Sequence, residues 1–218
     1  MNKKIYTEAL SLSIRKLSKI IKSGHLRGLE SIIQENLCTT LNKYNYNVVR
    51  EKPLSELGGK NLWDNSGNPR IDIVLDNNHA IELKVIRLPN KDHTSPNQRL
   101  YDIGQISSDY WRLKQAKAVT KAELGILLCG PLVMDLQTPT SIVREFHNRM
   151  FLDFTISKKY GELHKELKEP SSSMYEQRKL QLIAIKEMGF DKPFIKLPNE
   201  WFVVVKEGFA YVSIPINK

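Results

Sequence analysis

Three observations predict an α/β fold, with a central mixed β-sheet flanked by helices. Residues 69–75 and 79–86 are two β-branched runs that alternate apolar with other side chains. Between them lie Asp76, Asn77 and Asn78, which tolerate positive φ and bond their own backbone, so the pair reads as a β-hairpin. Residues 124–129 form a near-continuous apolar run closed by Gly130 and Pro131, the pattern of a central strand buried on both faces. Segments of helical periodicity precede and follow these strands.

The chain has 218 residues, 41% hydrophobic and 26% charged, enough for one sizeable domain or one domain with an appended helical piece. No apolar run approaches bilayer-spanning length, and no apolar segment with a cleavage site follows Met1, Asn2, Lys3 and Lys4, so a cytoplasmic protein without a membrane partner is expected. Cys38, in a helix, and Cys129, ending a strand, read as buried thiols rather than a bridge. A net charge of +9 and a pI near 9.4 favour polyanionic partners, nucleic acid first; the alternative is a basic surface that only solvates the fold.

From Ile5 to about residue 21 an amphipathic helix carries Leu10, Ile14, Leu17 and Ile21, with Arg15, Lys16, Lys19 and Lys22 on its other side; Gly24 breaks it. That basic face suits a phosphate backbone or plain solvation. A second helix, about Leu26 to Tyr44, presents Leu29, Ile33, Leu37 and Leu41. At about 100° per residue Glu30 falls inside this stripe and Glu35 points away. An acid on a core-facing stripe is avoided unless paired or metal-bound. Tyr46 to Lys52 reads as a first strand with Glu51 near its end. Residues 55–68, holding Gly58, Gly59, Trp63 and Gly67, read as a loop.

After the hairpin, a polar loop ends in Ser95, Pro96 and Asn97, a helix start. The helix from Gln98 to about Ala118 buries Leu100, Ile103, Ile106, Tyr110 and Leu113, with Gln105, Asp109 and Arg112 on an adjoining polar face. A helix over Thr140–Phe154 turns Ile142, Phe146, Met150 and Phe151 inward; a lone His147 on it makes no metal site. Residues 157–168 read as charged and helical, 169–173 as a flexible linker and Met174–Met188 as a helix. Residues 201–215 read as a hairpin turning near Glu207 and Gly208.

Parity sets the register of the central hairpin. Ile71, Ile73 and Leu75 share one face, as do Ile81, Leu83 and Val85. Placing both triads on the core side sets Leu75 opposite His79, Asp72 opposite Glu82 and Arg70 opposite Lys84, with opposed Cβ atoms roughly 4.5–5.5 Å apart. A slip by one moves every core side chain into water. Two opposed carboxylates destabilise a sheet, and the compensation they ask for is a divalent cation. Lys84, on the same face as Glu82, suits holding or deprotonating an attacking water and shielding phosphate charge. The bland alternative is a solvated hairpin face.

Pro69, Asp72, and then Glu82 and Lys84 as Glu-x-Lys on the second strand resemble the PD-(D/E)XK nuclease superfamily. The order helix, strand, strand, strand, helix, strand, helix over about residues 26–155 resembles its restriction-endonuclease-like core. The resemblance implies a Mg²⁺ site at Asp72, Glu82, the Leu83 carbonyl and Glu30, with Mn²⁺ able to substitute, and a water positioned by Lys84. Members often carry an extra acid on the first core helix, matched by Glu30, and a Gln on the helix after Glu-x-Lys, matched by Gln105. The activity implied is hydrolysis of DNA phosphodiester bonds by a restriction-type or mobile-element-defence endonuclease, with a homodimer left open. A structure-directed ribonuclease or toxin on the same scaffold, and a non-catalytic nucleic-acid-binding module, also stay open. Residues 1–25, a basic helix, and 156–218, a helical extension and terminal hairpin, lie outside the resemblance and are expected to pack on the core as one domain.

Overall fold

The computed structural model describes residues 2–22, 28–60, 68–88, 96–136, 138–166 and 172–217. Gly24, Leu26, Trp63, Gly67 and residues 169–171 of the linker expected at 169–173 lie outside the described residues, while Ser172 and Ser173 belong to a helix and not to a linker. Helices α1 (Lys3–Lys22) and α2 (Leu29–Lys43) lead into β1 (Val48–Pro53), a 3-10 turn (Leu54–Leu57), β2 (Arg70–Leu75) and β3 (His79–Arg87). Then come α3 (Pro96–Gln115), β4 (Lys121–Cys129), α4 (Pro131–Asp135), α5 (Pro139–Glu166), α6 (Ser172–Glu187), β5 (Phe202–Lys206) and β6 (Phe209–Pro215). The six strands form one open mixed sheet in the order β1-β2-β3-β4-β6-β5, with β3 and β4 parallel and all other neighbours antiparallel. The parallel step needs a crossover, which α3 supplies.

Each sheet face buries its own core. Under α1 and α2 lie Tyr6, Leu10, Ile14, Leu17, Ile33, Leu37 and Leu41 with Ile73, Ile81, Leu83, Leu127 and Tyr211. Under α3, α5 and α6 lie Ile71, Val74, Ala80, Ile106, Leu113, Leu124, Ile126, Phe146, Ile185 and Phe190. The apolar stripe of α1 is thus part of the core and not an appendage, since each such fully buried Leu or Ile contributes roughly 1.5–3 kcal/mol. The expected hairpin over 201–215 turns at Glu207 (φ 50) and Gly208 (φ 79) and pairs with β4, extending the sheet. Among the described residues no helix is long and apolar enough to cross a membrane.

Three expectations are corrected. Residues 139–166 form one helix rather than two pieces, running on through Thr155 and Ile156, where the Thr155 hydroxyl donates to the Phe151 carbonyl (2.9 Å). The short α4 has no counterpart in the sequence reading. Ile71 does not share a core with Ile73 and Leu75 but joins the opposite one.

A buried polar cluster ties α1 to the sheet. The Tyr6 hydroxyl donates to Glu123 Oε1 (2.5 Å) and lies 2.7 Å from the Tyr211 hydroxyl, while His79 Nε2 approaches Glu123 Oε2 at 3.4 Å. Burial first, and then the Glu123 charge, raises the pKa of both tyrosines, so they stay neutral donors.

Candidate active site at the divergence of β2 and β3

The central hairpin pairs in the parity set by its sequence: Leu75 with His79, Val74 with Ala80, Ile73 with Ile81. Asp76 (φ 49) and Asn77 (φ 53) supply the left-handed turn. The ladder then stops, which corrects the expected cross-strand pairs Asp72–Glu82 and Arg70–Lys84. Two β3 amides beyond the break are taken by side chains instead of β2 carbonyls. Leu83 N–H donates to Asp72 Oδ2 at 2.7 Å, and Val85 N–H donates to Glu30 Oε2 at 3.3 Å. The Asp72 carbonyl is caught by Gln34 Nε2 at 2.7 Å. Backbone hydrogen bonding is thereby conserved while the strands splay, and a cleft opens between them.

The cleft holds about 460 Å³ and is lined by Glu30, Glu51, Asp72, Lys84, Gln105 and Asp109, with Arg70, Ser108 and Arg112 completing its wall. Helix α3 contributes positions 105, 108, 109 and 112, one helical face. Glu82 lies behind the cleft at 0% exposure, beside Asp109 at 2%. Lys84 Nζ stands 3.3 Å from Glu30 and 3.6 Å from Asp109 Oδ2. Arg112 contacts Asp109, and its Nε lies 2.7 Å from Glu82 Oε1.

Burial dominates the electrostatics. It raises the Asp72 pKa, opposed by the Leu83 amide and the neighbouring Glu82 carboxyl. It raises Glu82 well above the ordinary carboxylate range, helped by the charges of Asp72 and Asp109 and opposed by Arg112. It lifts Asp109 to about 6 against the pull of Arg112 and Lys84. For Lys84 burial acts downward, but the charges of Asp109 and Glu30 outweigh it and hold the pKa above the ordinary lysine value. Lys84 is therefore an ammonium in this state, suited to orienting an oxygen nucleophile or countering phosphate charge rather than to taking a proton.

The sign of the resulting pH dependence follows from Asp109. A carboxyl whose folded pKa lies above its unfolded value adds stability at acid pH and loses it as pH rises through the folded value. The metal-free protein is expected to lose about 2–3 kcal/mol between pH 4 and 7 from this group. Denaturant titration across that range checks it; stability flat or rising there contradicts it.

The site residues expected from sequence come together. Asp72, Glu82, Lys84, Glu30 and Gln105 all border this cleft or its floor, and the exposed Glu35 does not. Glu30 binds Lys84 and the Val85 amide. His147 is buried against Phe190 and Phe194 and pairs with the Gly189 carbonyl, away from the site. Gln34 was not foreseen. Its Nε2 also donates to Glu51 Oε1 (2.8 Å), and its Oε1 accepts from Arg50 (3.2 Å). It thereby holds Glu51, a non-glycine at φ 50, in a conformation that costs of order 1–3 kcal/mol. Its signal was present in its position four residues after Glu30 on the same helix face. Gln34→Ala is expected to destabilise the protein by about 1–2 kcal/mol, read by chemical denaturation, because the Asp72 carbonyl and Glu51 lose their partner.

The fit of a divalent cation can be judged from the acids themselves. Neither oxygen of Glu82, nor Asp109 Oδ2, nor Arg112 Nε has an aligned hydrogen-bond partner among the described residues. Buried, unsatisfied carboxylate oxygens beside a second carboxylate are the donor set that Mg²⁺ or Mn²⁺ takes, with waters filling its remaining positions. Among the described residues no three His, Cys, Asp or Glu side chains are grouped to enclose an ion by themselves. Asp72 and Glu82 would hold it, with the Leu83 carbonyl and Glu30 as the further oxygens that the resemblance implies. No family model, curated protein or solved structure matches the chain.

Proposed function

We propose that the chain is a divalent-metal-dependent nuclease of the PD-(D/E)XK type that hydrolyses DNA phosphodiester bonds, as a restriction-type or mobile-element-defence endonuclease. One observation carries the reading: Glu82, fully buried beside Asp72, has two oxygens without an aligned donor at the point where the strands part. A fold gains nothing from such a group, and a phosphodiesterase needs it. When bound, the cation supplies Lewis acidity towards phosphate and lowers the pKa of a coordinated water. Asp72 is pre-oriented by the Leu83 amide, and Glu30 holds Lys84 at the cleft wall. Lys84 and Arg112 then place positive charge where the phosphate gains negative charge. Surface lysines and arginines make binding salt-dependent.

Supercoiled plasmid incubated with Mg²⁺ tests this reading. Nicking is expected from the wild type, lost in EDTA, and reduced about 10²–10³-fold in Lys84→Ala. Undiminished nicking by Lys84→Ala or Asp72→Asn rejects the assignment. A parallel digest of tRNA decides between DNA and RNA. The Arg112–Glu82 contact favours one other reading, a non-catalytic nucleic-acid-binding module whose acids are neutralised internally; tight binding in EDTA without metal-dependent turnover would establish it.

A further inference from the structure

Arg112 meets Glu82 closely, but the contact is poorly formed. Nε and Oε1 are 2.7 Å apart but poorly aligned for a hydrogen bond, and the other close polar neighbour of Glu82 is the Asp72 carboxyl rather than an N–H donor. A guanidinium presents its donors in a fixed plane and keeps its proton, so here it neutralises Glu82 by charge without satisfying its lone pairs. A spherical ion has no such directional demand. The two partners also differ in access: the Arg112 side chain is 28% exposed and the Glu82 side chain 1%. Asp109, three residues earlier on α3, holds Arg112 through a separate contact, so the guanidinium can leave Glu82 without losing its anchor.

We propose that Arg112 is the resting counter-ion of Glu82 and that the site is loaded by exchange, the metal displacing the guanidinium from the buried carboxylate. This rests on the reading of Asp72 and Glu82 as metal ligands. A dication and a guanidinium at the same oxygen repel one another, and at short range in a partly buried site that repulsion is large. Arg112 thus competes with the metal. A residue that only braced the fold would weaken metal binding when removed; a competitor strengthens it.

Calorimetric titration of the full chain with Mn²⁺ at near-neutral pH tests this on the wild type, Arg112→Gln and Arg112→Lys. Binding about tenfold tighter in Arg112→Gln, with Arg112→Lys close to the wild type, is expected. The metal-free Arg112→Gln protein is expected to melt lower than the wild type and to gain more from Mn²⁺. Equal or weaker Mn²⁺ binding by a folded Arg112→Gln overturns the proposal. If Arg112→Gln does not fold, nuclear magnetic resonance on the wild type decides. The Arg112 Nε–H signal, assigned by its loss in Arg112→Lys, moves with the Leu83 amide on Mg²⁺ addition; an Arg112 signal that stays fixed while Leu83 moves overturns exchange. Absence of Mn²⁺ binding in both the wild type and Arg112→Gln overturns the metal reading itself, and the exchange with it.

Discussion

Glu82→Gln is expected to lower Mg²⁺-dependent cleavage by about 10³-fold or more, roughly 4 kcal/mol of transition-state stabilisation, while leaving the metal-free protein as stable as the wild type or more so. The substitution keeps the shape of the side chain and removes a charge that burial, Asp72 and Asp109 all disfavour. Arg112 keeps its contact with Asp109. A buried carboxylate kept against its own solvation is a cost to stability, and on the proposed function metal binding is what offsets it. Plasmid nicking and thermal unfolding on the same preparation check both halves. Retained cleavage would remove Glu82 from the site; a large loss of stability would make it a structural partner of Arg112.

Gly125→Ala is expected to destabilise the protein by about 3–4 kcal/mol, a fall in Tm of about 8–15 °C by calorimetry. Gly125 sits in β4 opposite Leu83 on one side and Ser213 on the other. A Cβ there would overlap the Tyr211 hydroxyl and crowd its ring. Tyr211 is fully buried, and its hydroxyl belongs to the Tyr6–Glu123 cluster, so it cannot move without leaving polar groups unpaired. Adding Tyr211→Phe to Gly125→Ala is expected to recover part of the loss, since the worst overlap is with the hydroxyl. Full stability in Gly125→Ala would show that the ring has room to shift.

These two residues also mark how far the sequence could be read. The register of the hairpin was legible because strand side chains repeat every two residues and Asp76, Asn77 and Asn78 fix the length of the turn. The buried strand and the turn at Glu207 and Gly208 were legible for similar local reasons. The point where the β2–β3 ladder ends was not, because it depends on Glu30 and Gln34 arriving from α2 to take hydrogen bonds that a strand would otherwise make. Glu51 at φ 50 carries no glycine or asparagine to announce it. The face of Ile71 was misjudged because parity holds only while the strand stays regular. Gly125 did stand inside an apolar run, where glycine marks a close approach, but nothing local named Tyr211 as the neighbour. Arg112 was placed on the polar face of its helix; that it meets Glu82 is a tertiary fact.

The contact of Tyr6 with Tyr211 joins residues 205 positions apart. During synthesis, α1 and α2 leave the ribosome long before β6 exists to complete the sheet beneath them, so their apolar faces stay uncovered while most of the chain is translated. The final strand then lies beside β4 and locks the first helix in place, a closure of high contact order and correspondingly slow. Asp72 and Glu82 are thus translated well before the β5–β6 hairpin, and the six-stranded sheet that carries them is complete only once that hairpin has been made and has paired with β4.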